Sequence, residues 1–221
     1  MKGLTYLLFI ITTTTTTAVG QRKIALSLQV APIYGHDDSQ IRTGGLPNQP
    51  PATQITAASN GLSYSVGLSL RYAFTPRWSL TSGLWATHTL TAKTNFVQDG
   101  VPYTFQYGYN HPLSHAYKAP LLVNYQVTTH RLSPYVSLGA TFNFRATSYV
   151  DLSGSGEYVA LKVGKPVVVI PYVGLGLVYQ LSPHWSVLAQ PAFQYNLQAR
   201  PSYDYYHSYQ VSWQTQVMYR F

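Results

Sequence analysis

From Tyr209 to Phe221 the chain carries apolar or aromatic side chains at odd positions, Thr215 excepted, and Ser, Gln, Met and Arg at even ones. Side chains of a strand point alternately to its two faces, so this pattern predicts a strand with one apolar and one polar face. The alternation recurs along the chain. Ile24, Leu26, Leu28 and Val30 mark a first strand, and Leu62, Tyr64, Val66, Leu68, Leu70, Tyr72 and Phe74 a second, interleaved with Ser63, Ser65, Gly67, Ser69, Arg71 and Ala73. A third, about 77 to 91, has Trp78, Leu80 and Leu84 in one phase and Trp85 out of it, and a bulge near Ser82 and Gly83 is the expected cause. Tyr117 to Val127, Val136 to Phe144, Val167 to Tyr179 and Trp185 to Tyr195 complete a set of eight, each with polar or small residues opposite its apolar face.

The connections alternate in length. Thr75 to Arg77, Thr128 to Ser133 and Leu181 to His184 are short, and each sets a Pro at the turn and an aromatic at the strand entrance, where an interfacial girdle belongs. The segments 35–61, 92–115, 147–165 and 197–206 are long, polar and rich in turn formers. Short turns at one end and long loops at the other predict an all-β, eight-stranded antiparallel up-and-down transmembrane barrel of the outer-membrane type, with both termini periplasmic. The last strand then pairs with Ile24 to Tyr34, because a barrel in lipid leaves no edge unpaired.

Composition agrees. Charged residues are 9% of the chain, against about 25% in an ordinary soluble domain, while Tyr numbers 20. Lys2, the apolar run Leu4 to Ile11, a threonine tract and Ala18-Val19-Gly20 read as a signal peptide over 1–20, cleaved near Gly20, ahead of a single barrel domain over 21–221. That apolar run falls far short of the roughly 20 residues a spanning helix needs. With no Cys, disulfides, thiolate metal sites and a lipidated N-terminal Cys are excluded. The net charge of +8 comes from basic residues scattered along the chain rather than clustered, so nucleic acid is not expected as a partner.

All six acids, Asp37, Asp38, Asp99, Asp151, Glu157 and Asp204, fall in the long connections and none on an expected strand. Arg71, Lys118, Arg145 and Arg220 lie on strands in the phase of the polar face, as the cost of a charge in hydrocarbon requires. Residues of the fourth and fifth strands pair when their numbers sum to about 261, which sets Lys118 diagonally across from Arg145 near the long-loop mouth. Two lumen cations there require an anionic or hydrated neighbour. Asp151 or Glu157 folding back is the simpler expectation, and a mouth site for a carboxylate or phosphate of a surface ligand is the sharper one.

Ala119-Pro120-Leu121-Leu122-Val123-Asn124-Tyr125, Pro134-Tyr135-Val136-Ser137-Leu138-Gly139-Ala140 and the terminal Tyr219-Arg220-Phe221 resemble the PorT-like outer-membrane β-barrel domain family over essentially the whole mature chain. The resemblance implies a bacterial outer-membrane location and insertion by the barrel assembly machinery, which reads a terminal aromatic such as Phe221. The family often has an acid two residues before the Pro of its fourth strand. Here that position is Lys118, so a role resting on the acid does not carry over.

Catalysis needs a base, an orienting acid and a nucleophile together, and His36-Asp37-Asp38-Ser39 and Tyr203 to Ser208 hold those types. His207 and Ser208 are sequential and face opposite ways on a strand, so both segments read first as turn formers, and no catalytic residue is expected. His111 and His115 have metal-ligand spacing only on a helix, which Pro112 disfavours, and no metal or cofactor is expected. Gly154-Ser155-Gly156 reads as a loop tip. Inward Tyr135, Tyr172, Asn124, Gln126, Gln190, Gln194, Gln214 and Gln216 are bulky enough to plug an eight-stranded barrel, so a channel is not expected. What remains is a structural or surface-interaction role through the loops, toward outer-membrane lipid, lipopolysaccharide or a protein partner. The alternative is a small outer-membrane hydrolase or acyltransferase at the outer mouth.

Overall fold

In the computed structural model, residues 23–43, 53–98, 100–108, 115–144, 148–151, 158–161, 166–197 and 204–221 are described. The expected signal peptide, Arg145, Asp99, Glu157, His111 and Gly154 to Gly156 lie outside the described residues. The strands are β1 (Ile24–Thr43), β2 (Thr53–Ala73), β3 (Trp78–Gln98), β4 (Val101–Gly108), β5 (His115–Gln126), β6 (Leu132–Phe144), β7 (Ser148–Asp151), β8 (Tyr158–Leu161), β9 (Val167–Gln180), β10 (Trp185–Tyr195) and β11 (Tyr205–Arg220).

Every pairing in the wall is antiparallel, in the order β1, β2, β3, β5, β6, β9, β10 and β11, and β11 returns to β1, with Leu26 opposite Tyr219 and Tyr34 opposite Val211. β4 and β5 lie end to end against β3, so they form one stave and the closed wall has eight. Lys118 is opposite Asn143, the register expected for the fourth and fifth staves. Following partners once around from Ala25, through Arg71, Thr81, Leu122, Gly139, Tyr172, Gln194 and Gln210, returns to Gly35, ten residues further along β1. Such a stagger tilts the strands by about 35–45°. The small pair β7–β8 stands apart from the wall.

The expected faces are the observed ones. Leu28, Val66, Leu68, Leu84, Leu121, Leu138, Leu175, Val211 and Trp213 point outward, whereas Ser27, Gln29, Ser65, Ser69, Asn124, Gln190 and Gln214 are buried inside. An aromatic girdle closes the short-turn end: Trp78 packs on Tyr125 with ring centroids 4.7 Å apart, Trp185 on Tyr219 at 5.0 Å and Tyr219 on Phe221 at 5.3 Å. A second girdle, with Tyr195 and Tyr209, rings the other end. The stretch between Tyr209 and Tyr219 on tilted β11 rises about 25 Å at about 3.3 Å per residue, the height of an outer-membrane apolar band.

Each short turn is held by its own hydroxyl. Thr75 Oγ1 accepts from the backbone N–H of Trp78 at 2.9 Å, and Ser182 Oγ accepts from that of Trp185 at 3.0 Å. Ser133 Oγ accepts from Thr128 N at 3.0 Å and donates to Thr128 O at 2.8 Å. Ser182→Ala is expected to lower stability by about 1 kcal/mol, read as a shift in the urea midpoint of folding into lipid vesicles.

Four expectations are corrected. The bulge is not at Ser82 and Gly83: β3 keeps its phase there, the register with β2 shifts between Leu62 and Ser63, and Trp85 simply points inward. Its indole stacks on the bare Cα of its cross-strand partner Gly67, where a Cβ would strike the ring. The segments 35–61 and 92–115 are largely strand, since β1, β2 and β3 run on past the apolar belt and β4 follows β3. Asp37 and Asp38 therefore lie on β1, where water rather than lipid bounds the wall, and Asp151 on β7, apart from the wall. Finally, the lumen is not uniformly polar, because Leu122 and Trp85 join Tyr172 and Ala192 in one buried cluster, and Leu188, Val178, Met218 and Tyr135 form another.

Candidate functional site

The lumen offers the first candidate. Gln190, from β10, donates through Nε2 to Tyr172 Oη at 3.0 Å and to Gln214 Oε1 at 3.0 Å, and its own Oε1 accepts from Ser137 Oγ at 3.2 Å. Trp85 Nε1 donates to Ser69 Oγ at 2.9 Å, Thr141 Oγ1 to Gln194 Oε1 at 3.0 Å, and Asn124 Nδ2 to Thr81 Oγ1 at 2.9 Å. Alternation puts one such residue from every stave into the lumen, so their amides and hydroxyls meet at hydrogen-bond distance and fill it.

Lys118 points into this lumen, 4% exposed, and its Nζ donates to Gln210 Oε1 at 2.8 Å. It sits beneath the mouth rather than open to it. Among the described residues no carboxylate pairs with it, and the expected partners Arg145 and Glu157 lie outside those residues, as does the side chain of Asp151. A cavity of about 10 Å³ adjoins Lys118, lined also by Gln29, Ser65, Ser212 and Trp85. Gln29 Nε2, Ser65 Oγ and Ser212 Oγ make no hydrogen bond to protein there. The space and its polar lining suit a single water molecule.

The second candidate is the rim above the belt, and it is built by the two segments that the sequence singled out for catalysis. β1 and β11 bring them together, with Asp38 opposite His207, Asp37 opposite Ser208 and Ser39 opposite Tyr206. Phase then separates them. Asp38 and His207 share the outer face with His36, whereas Ser39 and Ser208 share the inner face with Asp37. The hydroxyls and the imidazoles thus lie on opposite sides of one wall. On the outer face Tyr205 Oη donates to Asp38 Oδ1 at 3.2 Å, and Tyr195 Oη lies 2.7 Å from His207 Nδ1. Desolvation first, and then the Asp38 carboxylate, raise the Tyr205 phenol above its ordinary value, so it stays protonated and donates. On the inner face Tyr206 Oη donates to Asp37 Oδ1 at 3.3 Å.

Beside this group, Asn60 on β2 accepts through Oδ1 from Tyr34 Oη at 2.7 Å and from His36 Nδ1–H at 2.7 Å. His36 also packs on Tyr209 with centroids 5.1 Å apart. The sequence reading missed Asn60 and Tyr195, although the register His36–Asn60 follows directly once Ile24 is set against Tyr72. His115, one of the two histidines considered for metal, pairs across the ladder with His88. The rim is a polar, aromatic and imidazole-rich surface suited to hydrogen bonding with headgroups, sugars or a protein.

Among solved structures, the chain is similar to Neisserial surface protein A at 16% identity, covering 89% of this chain and 99% of that one, with a TM-score of 0.47. It is also similar to Ail, the attachment invasion locus protein of Yersinia pestis solved with the heparin analogue sucrose octasulfate, at 13% identity over 90% and 99% of the two chains, TM-score 0.39. The outer membrane enzyme PagL is similar at 15% identity over 83% and 97%, TM-score 0.35. No family model matches the chain, and no curated protein does. The fold itself is read from the strand pairing.

Proposed function

We propose that this chain is an integral protein of the bacterial outer membrane, of PorT-like kind, with a structural or surface-interaction role carried by the wall and loops above the apolar belt. The observation that carries this reading is a belt of exposed Leu, Val and Trp around a lumen filled by hydrogen-bonded side chains. Hydrocarbon is the solvent that such an outer face requires, and a filled lumen leaves the outer rim as the place for recognition. Outer-membrane lipid and lipopolysaccharide meet the belt and girdle. A protein partner is assigned to the loops, and the assembly machinery to Phe221. The hydrolase or acyltransferase reading has less support, because Ser39 and Ser208 face away from His207 and Asp38.

Two measurements test it together. Reconstituted in planar bilayers, the protein is expected to give no steady conductance. In intact cells, a membrane-impermeant amine reagent is expected to label Lys93, exposed on the upper part of β3, and to label Lys23 only after the outer membrane is permeabilised. Stable channels would overturn the plugged lumen, and labelling of Lys23 in intact cells would overturn the orientation.

A further inference from the structure

The described acids lie at one end of the barrel, whereas cations lie at both. Asp37, Asp38, Asp151 and Asp204 lie toward the long loops, and Asp99 and Glu157 fall in sequence between β3 and β4 and between β7 and β8. The short-turn end carries Lys23, Arg71, Arg77, Arg131 and Arg220 and, among the described residues, no acidic side chain. Three of these cations, Lys23, Arg71 and Arg220, line a cavity of about 350 Å³ in the short-turn mouth, together with Thr75, Gln126 and Gln180 among others.

Arg71 forms the floor. It is 8% exposed, its Nε donates to Ser79 Oγ at 2.7 Å, its Nη1 lies 3.8 Å from Met218 Sδ, and its Cζ sits 5.0 Å from the centre of the Tyr135 ring. A guanidinium carries five N–H donors in a planar fork, so the contacts to Ser79 and Met218 do not exhaust the donors of Arg71, which lines the cavity. Arg71 and Arg220 also share a smaller adjoining cavity with Lys23. Like charges so placed repel in a partly desolvated mouth, and an oxyanion between them converts repulsion into charge-assisted hydrogen bonds.

We propose that the short-turn mouth is a binding site for one oxyanion group, phosphate or carboxylate, held by Arg71 from below and by Arg220 and Lys23 at the rim. The site is independent of the rim surface at the other end. Only the compartment that supplies the ligand, the periplasm, rests on the orientation proposed above, and binding in micelles tests the site without it.

The experiment uses the folded barrel in detergent micelles, titrated with sodium phosphate, with succinate and with sodium chloride at matched ionic strength, and read by the thermal unfolding midpoint. Phosphate or succinate is expected to raise the midpoint saturably, and the stronger of the two identifies the group. Arg220→Gln and Lys23→Gln, at the rim and clear of the Arg71 packing, are each expected to weaken binding about tenfold, the worth of one charge-assisted hydrogen bond. Lys93→Gln, at the opposite end, is expected to bind as wild type. Equal midpoints in phosphate, succinate and chloride would overturn the site, and so would undiminished binding by both rim variants or equal weakening by Lys93→Gln.

Discussion

Leu68→Arg is expected to prevent the chain from folding stably into a bilayer. Leu68 is 56% exposed on β2, midway between the girdles, and its cross-strand partners Leu28 and Leu84 face outward with it. An Arg at the midplane of an outer-membrane barrel costs roughly 2 to 4 kcal/mol, a large share of the total stability of a small domain. Leu68→Ala keeps the position uncharged and serves as the control. The measurement is the urea midpoint in lipid vesicles together with heat-modifiable mobility on gels. An unchanged midpoint for Leu68→Arg would show that this face does not meet hydrocarbon. The adjacent Ser69 does not offer a tolerant lumen counterpart, because it lies 1% exposed beneath the Trp85 indole.

Gln190→Leu is expected to destabilise the barrel by at least about 2 kcal/mol without altering its outer face. The replacement keeps most of the volume but strips the Gln190 partner from Tyr172 and Ser137, both buried in the lumen, while Gln214 Oε1 still accepts from Gln216 Nε2 at 3.4 Å. Each buried polar group left without a partner costs about 1 to 3 kcal/mol. Tyr172→Phe combined with Gln190→Leu is expected to cost less than the two single changes added together, since one variant already orphans the group that the other removes. Strict additivity in that cycle would show that Gln190 and Tyr172 do not interact.

The belt was legible in sequence because its two faces meet different solvents. Where Leu68 and Ser69 alternate, lipid lies on one side and packed amide on the other, and period 2 records the difference. Above Tyr34 both faces of β1 meet water, so Gly35 to Gln40 loses the alternation and reads as loop although its ladder to Asn60 and Tyr209 is unbroken. Trp85 misled for a different reason: its size suggests the lipid face, and the signal that it turns inward is Gly67 on the neighbouring strand, informative only once the two are known to be partners. The rim group was half legible. His36, Asp38 and His207 stood out by residue type, but which of them share a face, and that Asn60 and Tyr195 join them, depends on three registers across four strands.

The end-to-end pairing of the wall also acts as a depth gauge. A ladder inside hydrocarbon must be complete around its circumference, whereas one in water can stop anywhere, because water takes over the free N–H and C=O groups. Pairing of β9 with β10 ends at Tyr172 and Gln194 and that of β10 with β11 at Tyr195 and Tyr209, while β1 and β2 continue together to Thr43 and Thr53. The circumference is therefore broken within a residue of the Tyr195–Tyr209 girdle. Backbone closure and aromatic anchoring, set by unrelated physics, thus place the waterline at the same height, and everything on β1 beyond His36 is a parapet standing in the aqueous surface layer on one side of the opening.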